Sequence, residues 1–326
     1  MSTSLDYWRR LSRLFIHYTR RSTRLPYLPI RLWVELSAHC NYRCIMCPNK
    51  DLSPQEKGHM DFELYTRIID EAQDFSFDIN LAHRGESLLH PRLVEAIQYA
   101  KRAGLYTRLH TNGSLLTEDL ARQIVASGLD KLSFSFDGYT KETYEKIRRG
   151  GDFEKTTANI VRLLEIKKEE KSRKPETAIE VINFETLAAP EMAEAQRKFR
   201  ERFRGLPLNS FNLKELHNWA GEIEQGDRGA RYSVCPFPWN ALIVFWDGTV
   251  YPCTQDFFGH YPVGDANRSS LREIWNSPAI MDLRGKLAAQ DISEVETCSR
   301  CDRPWRKRLL GVPREYLWKF LTKRMP

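Results

Sequence analysis

The sequence predicts an α/β protein: a partial (β/α)6 barrel, TIM-like but open, followed by a small domain that contains a β-hairpin. Two observations carry this prediction. Up to about residue 215, short β-like runs alternate with amphipathic helical runs, and beyond that point a hairpin pattern with flanking cysteines takes over. Repeated strand–helix units favour a parallel sheet with helices on its outer face, and six units are too few for a closed eight-stranded barrel.

The elements of the barrel follow from hydrophobic periodicity. Six runs have the character of strands: 31–37, 78–83, 105–110, 130–136, 178–184 and 209–215. Five stretches have the spacing of amphipathic helices: 61–74, 91–103, 117–127, 153–171 and 189–203. Because the functional residues of such barrels lie at the carboxyl ends of the strands, we expect a site in the segments that follow them.

The small domain is predicted from the segment ALIVFWDGTVYPC. It indicates a hairpin with strands 241–246 and 249–252 that turns at Asp247–Gly248. We therefore place a domain boundary near residue 232. The chain then has four parts: a basic amphipathic extension at 1–30, the barrel at 31–232, the small domain at 233–302 and a basic C-terminal helix or tail at 303–326.

Composition and charge narrow the class of protein. The chain has 326 residues, 41% of them hydrophobic and 29% charged, which is typical of a globular protein. No apolar run approaches the length of about 18 residues that spans a bilayer, and no secretion signal is visible, so we expect a cytoplasmic location. The two ends, 1–31 and 303–326, carry net charges of +6 and +7, whereas 32–302 carries −6. Nucleic acid is not expected as a partner, because the acidic body lacks a broad basic face.

Both ends have apolar residues at helical spacing. The apolar positions are Leu5, Trp8, Leu11, Phe15 and Tyr18 near the start, and Tyr316, Leu317, Phe320 and Leu321 near the end. Two interpretations stay open. The helices pack on the barrel and keep their charges in solvent, or they lie on the anionic inner membrane surface, which would suggest a lipid-linked substrate.

Three cysteines, Cys40, Cys44 and Cys47, directly follow the first predicted strand with the spacing C-x3-C-x2-C. Such a loop can wrap its thiolates around one iron–sulfur cube. Since the cube has four irons, three cysteines leave one iron free to chelate a substrate or cofactor. A zinc site completed by His39 is the alternative, although zinc usually draws its ligands from two separated pairs.

The other four cysteines lie in the small domain: Cys235, Cys253, Cys298 and Cys301. Four thiolates can fully ligate a second cluster, which would then exchange electrons without binding substrate. A structural zinc ion is again the alternative, because one C-x2-C pair plus two distant cysteines also fits zinc.

The triplet and the segments that follow it resemble the radical S-adenosylmethionine (SAM) superfamily. In that family a Gly-Gly-Glu-Pro segment after the second strand holds the amino group of SAM. The corresponding segment here is RGES, in which Gly85 and Glu86 fit the pattern and Arg84 and Ser87 depart from it. The resemblance implies that Glu86 pairs with the ammonium group of SAM.

Further segments carry the same resemblance. HTNGS and SFSFDG, after the third and fourth strands, are typical of the family, and the resemblance implies that Asn112, Ser135 and Asp137 contact ribose or substrate. A turn or a strand-end cap is the simpler interpretation of these three residues. YEKIRRGGDFEK resembles the segment whose arginine meets the SAM carboxylate, which indicates Arg148, or Arg149 if the register slips by one.

The second cysteine set, with its hairpin, resembles the SPASM or shorter Twitch domain that holds auxiliary clusters in many radical SAM enzymes. Its spacing is similar to that of the 2-deoxy-scyllo-inosamine dehydrogenases. The fuller domain has more cysteines and holds two clusters. The four cysteines here imply one auxiliary [4Fe–4S] cluster, in addition to the SAM-binding [4Fe–4S] cluster.

The resemblance implies one-electron chemistry. SAM is cleaved to methionine and a 5′-deoxyadenosyl radical, the radical removes hydrogen from a small polar substrate such as a saccharide, cyclitol or nucleoside-like compound, and the auxiliary cluster accepts an electron as an alcohol becomes a ketone. The electron donor would be a flavodoxin or ferredoxin. A base is needed near the substrate. The candidates are Asp256, Asp265 and His217, although each also fits a turn, surface or packed-loop residue.

Other functions are weighed against this one. Epimerisation would return hydrogen and form no ketone. Peptide maturation is the main alternative, but only about 30 residues precede the first predicted strand, too few for the winged-helix module that often holds a leader peptide. A non-catalytic metal-binding scaffold would not cleave SAM.

Overall fold

The computed structural model describes residues 4–182, 184, 189–223, 232–305, 308–309 and 312–313. The predicted C-terminal stripe of Tyr316, Leu317, Phe320 and Leu321 lies outside the described residues, as does the side chain of Leu5. The described part forms one main sheet with helices on its outer face.

Nine strands form the main sheet in the order β6-β5-β4-β3-β2-β1-β7-β8-β9. Their bounds are β1 Arg31–Val34, β2 Asp78–Asn80, β3 Tyr106–Thr111, β4 Lys131–Ser135, β5 Glu176–Ile182, β6 Ser210–Lys214, β7 Ala241–Val244, β8 Thr249–Tyr251 and β9 Gly264–Asp265. A separate antiparallel pair consists of β10 Arg308–Leu309 and β11 Val312–Pro313. The first six strands are parallel and sequential, so the predicted open, TIM-like barrel is confirmed.

Helices follow the strands, as the periodicity predicts. They are α1 Ser4–Thr19, α2 Phe62–Ala72, α3 Leu93–Arg102, α4 Glu118–Ala126, α5 Lys141–Ile147, α6 Phe153–Glu169, α7 Ala189–Glu201, α8 Phe237–Asn240, α9 Leu271–Ile274, α10 Pro278–Ala289 and α11 Glu296–Ser299. Several begin at a side-chain cap: the Asp61 carboxylate accepts from two backbone N–H groups of α2, and Thr117 caps α4.

The two faces of the barrel strands differ in character. Leu109, Phe134 and Ile179 lie in neighbouring strands on the face that the helices cover, and all three are fully buried. The alternate positions face the concave side, the lumen, and many of them are polar and partly accessible. A binding site for a polar molecule is therefore available inside the barrel.

The hairpin of the small domain extends the barrel sheet. The predicted turn at Asp247–Gly248 is present, and Gly248 has a φ of 93°, which a glycine adopts readily. Strand β7 pairs in parallel with β1, with Trp33 opposite Ile243. All four residues of β7 are buried, so exposure of this strand would be costly. The predicted domain boundary is thus bridged by backbone hydrogen bonds.

Helix α1 packs on the rest of the molecule by one face only. Leu11 and Tyr18 are buried, and the Tyr18 hydroxyl donates to the Val234 carbonyl oxygen at 2.6 Å. Trp8 and Phe15, which the sequence groups with them, are instead exposed by 36% and 53%. Within the described part of the chain, no helix is both long and apolar enough to cross a membrane.

Candidate functional site

The loop that carries the cysteine triplet joins β1 to α2 at the carboxyl edge of the sheet. It is held against the loop that follows β2. The backbone N–H of Glu86 donates to the His39 carbonyl oxygen at 2.8 Å. The Asn49 amide donates to the carbonyl oxygens of Ala38 and Arg84, at 2.8 and 3.0 Å. Residues before and after the triplet are therefore fixed to the segment that contains Gly85 and Glu86.

The three thiols of the triplet share one partly enclosed environment. Cys44 is buried, and Cys40 and Cys47 are partly buried. Burial raises the pKa of Cys40 to about 12 and that of Cys47 to about 11. Desolvated thiolates need a compensating positive charge, which iron supplies. Together with the all-sulfur donor set, this environment fits an iron–sulfur cluster.

Gly85 and Glu86 occupy the position that the resemblance assigns to SAM binding. A Cβ on Gly85 would overlap the carbonyl oxygens of Ser37 and His39, so only glycine lets these two loops meet. The Glu86 carboxylate is buried and accepts from the Thr111 hydroxyl at 2.8 Å and the Asn112 backbone N–H at 2.7 Å. It also accepts from the Leu88 N–H at 3.0 Å. Burial raises its pKa.

Arg148, rather than its neighbour Arg149, points at the triplet. Arg149 is exposed, whereas Arg148 is buried and lies 3.8 Å from the Cys44 sulfur. Its guanidinium also pairs with the Asp137 carboxylate, which accepts a second hydrogen bond from the Ile182 N–H at 2.7 Å. Asp137 has a φ of 51°, an uncommon conformation for a residue other than glycine. The structure thus brings two predicted residues to one side of the triplet.

Asn112 and Ser135 lie close by at strand ends. The Asn112 side-chain oxygen accepts from the Ser114 N–H at 2.9 Å, the local turn that is the simpler interpretation of this residue. Its amide group also donates to Asn41, beside the triplet, at 2.9 Å. Ser135 ends β4 opposite Glu180 of β5 and is partly accessible. Both placements are compatible with contact to a bound cofactor or substrate.

Arg84 stands where the family pattern has a glycine, and the structure gives a reason for this difference. Its guanidinium forms two hydrogen bonds of 2.8 Å with the Glu35 carboxylate, and both side chains are almost completely buried. It also lies 3.6 Å from the ring centroid of Phe245 and 3.4 Å from the Phe257 carbonyl oxygen. Arg84 therefore ties the second barrel loop to the small domain, a task that the glycine of the family pattern could not perform.

The other four cysteines converge on one cavity that is partly open to solvent. Its lining includes Cys235, Cys253, Cys298 and Cys301. Burial raises the pKa values of the last three, that of Cys301 to about 12. Four thiols around one partly enclosed space fit a fully ligated cluster by the same reasoning as for the triplet.

The structure separates the three residues considered as a base. Asp256 lines the cavity of the four cysteines, but its two oxygens accept from the backbone N–H groups of His260 and Tyr261, both at 2.8 Å. Burial raises the pKa of Asp256. His217 lies 3.1 Å from a nitrogen of Arg303, which also lines the cavity. Asp265 binds the backbone of Asn267 in a turn after β9.

Sequence reasoning missed a segment that connects the two cysteine sites. The Trp219 indole donates to the Met46 carbonyl oxygen, between Cys44 and Cys47, at 3.1 Å. Its ring lies 5.1 Å from that of Phe257, next to Asp256. Trp219 has a φ of 47°, and Ala220 one of 59°. The sequence offers no signal for this role beyond Gly221 directly afterwards.

A second missed feature lies in the lumen. His110 Nδ1 is 3.6 Å from one oxygen of Glu180, and the Lys214 ammonium is 3.5 Å from the other. These residues belong to β3, β5 and β6. In the sequence, these polar residues alternate with apolar residues along each strand, and this alternation could have indicated that they face the lumen.

Comparison with known proteins adds the family context. A model of the radical SAM superfamily matches residues 34–197, and a model of the iron–sulfur cluster-binding SPASM domain matches residues 235–302. The chain is 27% identical over 294 residues to the tungsten-containing aldehyde ferredoxin oxidoreductase cofactor-modifying protein of Pyrococcus furiosus, covering 76% of this chain and 80% of that protein.

Two further similarities differ in the substrates that their names state. The chain is 22% identical over 275 residues to the SAM-dependent 2-deoxy-scyllo-inosamine dehydrogenase of Niallia circulans, covering 82% of this chain and 91% of that protein. The crystal structure of Streptococcus suis SuiB bound to the precursor peptide SuiA has a TM-score of 0.63 and 13% identity, covering 87% of this chain and 72% of that one. At this identity, the second similarity concerns the fold alone.

Proposed function

Because the chain belongs to the radical SAM superfamily, we propose that it is an oxidoreductase that converts an alcohol of a small polar substrate to a ketone. The family carries a SAM-binding [4Fe–4S] cluster, and the SPASM domain carries an auxiliary cluster. When bound, these groups supply the electron that cleaves SAM into methionine and a hydrogen-abstracting radical, and an acceptor for one electron from the substrate.

The residues around the triplet have the chemistry to hold the first cluster and SAM. Cys40, Cys44 and Cys47 would each ligate one iron. Glu86 uses three of about four lone-pair positions for hydrogen bonds within the protein, so one stays available for the SAM ammonium group. The Arg148 guanidinium would attract the SAM carboxylate. The surrounding peptide groups keep these side chains oriented before SAM arrives.

The observation that carries the proposal is the convergence of four cysteines on one cavity. A set of four thiolates satisfies all four irons of a cube, so no iron is left to bind substrate. The group that such a set would hold is suited to accept an electron, which favours a net oxidation over a redox-neutral reaction such as epimerisation. Asp256 would support this site by fixing the loop up to Tyr261, rather than by acting as a base.

Peptide maturation is the second candidate, and the likeness of the fold to peptide-bound SuiB favours it. The same two cysteine sites would serve such a reaction. The two candidates differ in what enters the lumen: a small polyol that fits entirely inside, or one side chain of a longer peptide.

A substrate panel tests the proposal. Anaerobically reconstituted protein is reduced with flavodoxin or ferredoxin, the donors we propose, and supplied with SAM and either cyclitols, aminocyclitols, saccharides and nucleosides or candidate precursor peptides. We expect 5′-deoxyadenosine in amounts that match a ketone from one of the small alcohols. Return of hydrogen without a ketone would favour epimerisation, and modification of a peptide alone would favour maturation.

The exposed face of α1 supports a peripheral contact between a cytoplasmic protein and an anionic membrane. Trp8, Phe15 and Ile16 are exposed on it, and Arg9 and Arg13 flank them. Aromatic side chains with neighbouring arginines suit the headgroup region of acidic lipids. Vesicles of phosphatidylglycerol should sediment the protein, and a Trp8→Ser/Phe15→Ser double variant should stay in solution. Equal sedimentation of both proteins would contradict a contact through this face.

A further inference from the structure

The lumen of the barrel is charged on one side and apolar on the other. Trp33 and Ile243 lie on the apolar side, where β1 meets β7. On the opposite side, Glu180 of β5 lies between Lys214 of the neighbouring strand β6 and His110 of β3, one strand further across β4. Each belongs to the strand face that the helices do not cover, so their side chains border the space that a substrate would enter.

This group adjoins the residues considered for SAM, in the chain and in the sheet register. Thr111 and Asn112, which follow His110 in the chain, donate to the Glu86 carboxylate at 2.8 and 2.7 Å. Glu180 is opposite Ser135 in the sheet register. A substrate that reached the lumen from the carboxyl edge would therefore come near both the residues that would hold SAM and the imidazole of His110.

We propose that His110 is the residue that accepts the proton of the substrate hydroxyl, and that Glu180, itself held by Lys214, positions the imidazole. The inference rests on the proposed function, because only an oxidation of an alcohol requires this proton to leave. A carboxylate beside Nδ1 favours the tautomer that carries its proton there, which leaves Nε2 as the acceptor. The 3.6 Å separation can tighten when substrate binds.

The surroundings keep the imidazole neutral and ready to accept a proton. His110 is desolvated, which lowers its pKa, and Lys214, Lys131 and Arg108 lower it further. The Glu180 carboxylate raises it. A neutral imidazole with a free ring nitrogen is suited to act as a base.

The remainder of the lumen is polar near this group. Ser133 lies opposite His110 in the register, and its buried hydroxyl finds no hydrogen-bond partner among the described residues. Such a group is costly to bury unless a ligand satisfies it. It therefore marks the space beside His110 as a place for a hydroxylated substrate.

The proposed oxidation breaks two bonds of the substrate. The C–H bond of the carbinol carbon breaks, and its hydrogen atom forms 5′-deoxyadenosine. The O–H bond would then break and its proton would go to His110 Nε2. The auxiliary cluster that the four cysteines of the small domain would hold would supply the acceptor for the unpaired electron. The substrate has lost two hydrogen atoms in total and becomes a ketone. His110 returns its proton to solvent before the next turnover.

The three sequence candidates for this role are placed differently. Asp256 uses both carboxylate oxygens on backbone N–H groups, Asp265 ends β9 and accepts from the Asn267 backbone N–H, and His217 accepts from Arg303. His110 differs because its partner is a carboxylate and it borders the lumen.

One test does not depend on the substrate. Histidine ring signals of the oxidised holoprotein are followed by NMR against pH, with His110→Gln used for assignment. We expect a His110 pKa that falls in Glu180→Gln, since a stabilising carboxylate is lost, and rises in Lys214→Met, since a repelling ammonium is lost. Glu273→Gln, a surface change in the small domain, is the matched control and should move nothing. If neither lumen substitution changes the His110 pKa, the proposed pairing of His110 with Glu180 is wrong.

The second test uses whichever alcohol of the panel is oxidised, deuterated at the carbinol carbon. His110→Gln should still transfer deuterium into 5′-deoxyadenosine while ketone formation falls by about 100-fold or more, the usual contribution of a general base. Glu180→Gln should lower the ketone rate less and shift its pH profile. Asp256→Asn and His217→Gln are measured in the same way. If one of them stops ketone formation but still transfers deuterium, and His110→Gln does not, the inference is wrong. If no alcohol of the panel yields a ketone, the proposed function is contradicted instead. The NMR titration then still tests the pairing of His110 with Glu180.

Discussion

The two cysteine sites differ in what surrounds their thiols. The triplet lies among charged groups: Glu86 on one side, and Arg148 with Asp137 on the other. The four cysteines of the small domain line one cavity, in which Asp256 is held by backbone N–H groups. An incomplete ligand set with charges of both signs suits a zwitterionic cofactor such as the methionine part of SAM. A complete set in a partly enclosed space suits electron exchange. The comparison indicates that the surroundings, as much as the number of thiols, separate the two roles.

The largest expected effect comes from the removal of one thiol at either site. Cys44→Ala should abolish the cleavage of SAM, because the triplet has no spare ligand. Cys253→Ala should spare some cleavage and stop product formation. Methionine, 5′-deoxyadenosine and ketone are measured together. Wild-type protein should contain about eight irons, as two [4Fe–4S] clusters require, and each variant about four. If both variants behave alike, the proposed division of roles is wrong.

The second effect concerns Arg84, which joins the two regions. Arg84→Met leaves the Glu35 carboxylate buried without its partner, and breaking such a pair costs about 3–5 kcal/mol of the free energy of unfolding. Urea unfolding of the oxidised holoprotein measures the loss. A Glu35→Gln/Arg84→Met double variant should recover part of it. Arg197→Met, at an exposed ion pair, is the control and should leave the midpoint in place. A midpoint in Arg84→Met that equals this control would show that the pair contributes little.

A smaller effect is expected at Trp219. Trp219→Phe keeps an aromatic ring beside Phe257 but removes the hydrogen bond to Met46, worth about 1 kcal/mol. SAM cleavage should fall several-fold, since the triplet loop loses a support. Trp239→Phe is the control, because its indole also donates to a backbone carbonyl oxygen, that of Ser22 at 2.9 Å, which lies outside the loop that carries the triplet. Similar rates in the two variants would rule out a particular role for Trp219.

The smallest expected effect is a gain in stability. Gly285 lies inside α10, and a Cβ there would meet only the Thr23 side chain at 3.8 Å. Gly285→Ala should therefore raise the free energy of unfolding by about 0.5–1 kcal/mol. Gly104→Ala is the contrast. Its φ of 79° makes alanine unfavourable by about 1–2 kcal/mol although the space is open. Thermal unfolding compares the two, and a loss in Gly285→Ala would mean that α10 has no room for a methyl group.

The strands and the cysteine pattern were accessible from the sequence because they depend on neighbours in the chain. Alternation along 131–135, for example, predicts a strand with one covered face, and the spacing of Cys40, Cys44 and Cys47 is local by definition. Local patterns in the sequence did not decide which arginine points at the triplet. Arg148 and Arg149 are adjacent, and only the end of α5 decides which of them is buried.

The sequence by itself determined the fold class, the order of strands and helices, and the presence of two distinct cysteine sets. Tertiary structure alone decided that β7 pairs with β1, that Arg84 binds Glu35, and that His110 meets Glu180. The physical reason is the range of the interactions. Periodicity and spacing act over a few residues, whereas these pairs join positions 49 or more residues apart, and their energies depend on burial that only the packed sheet creates.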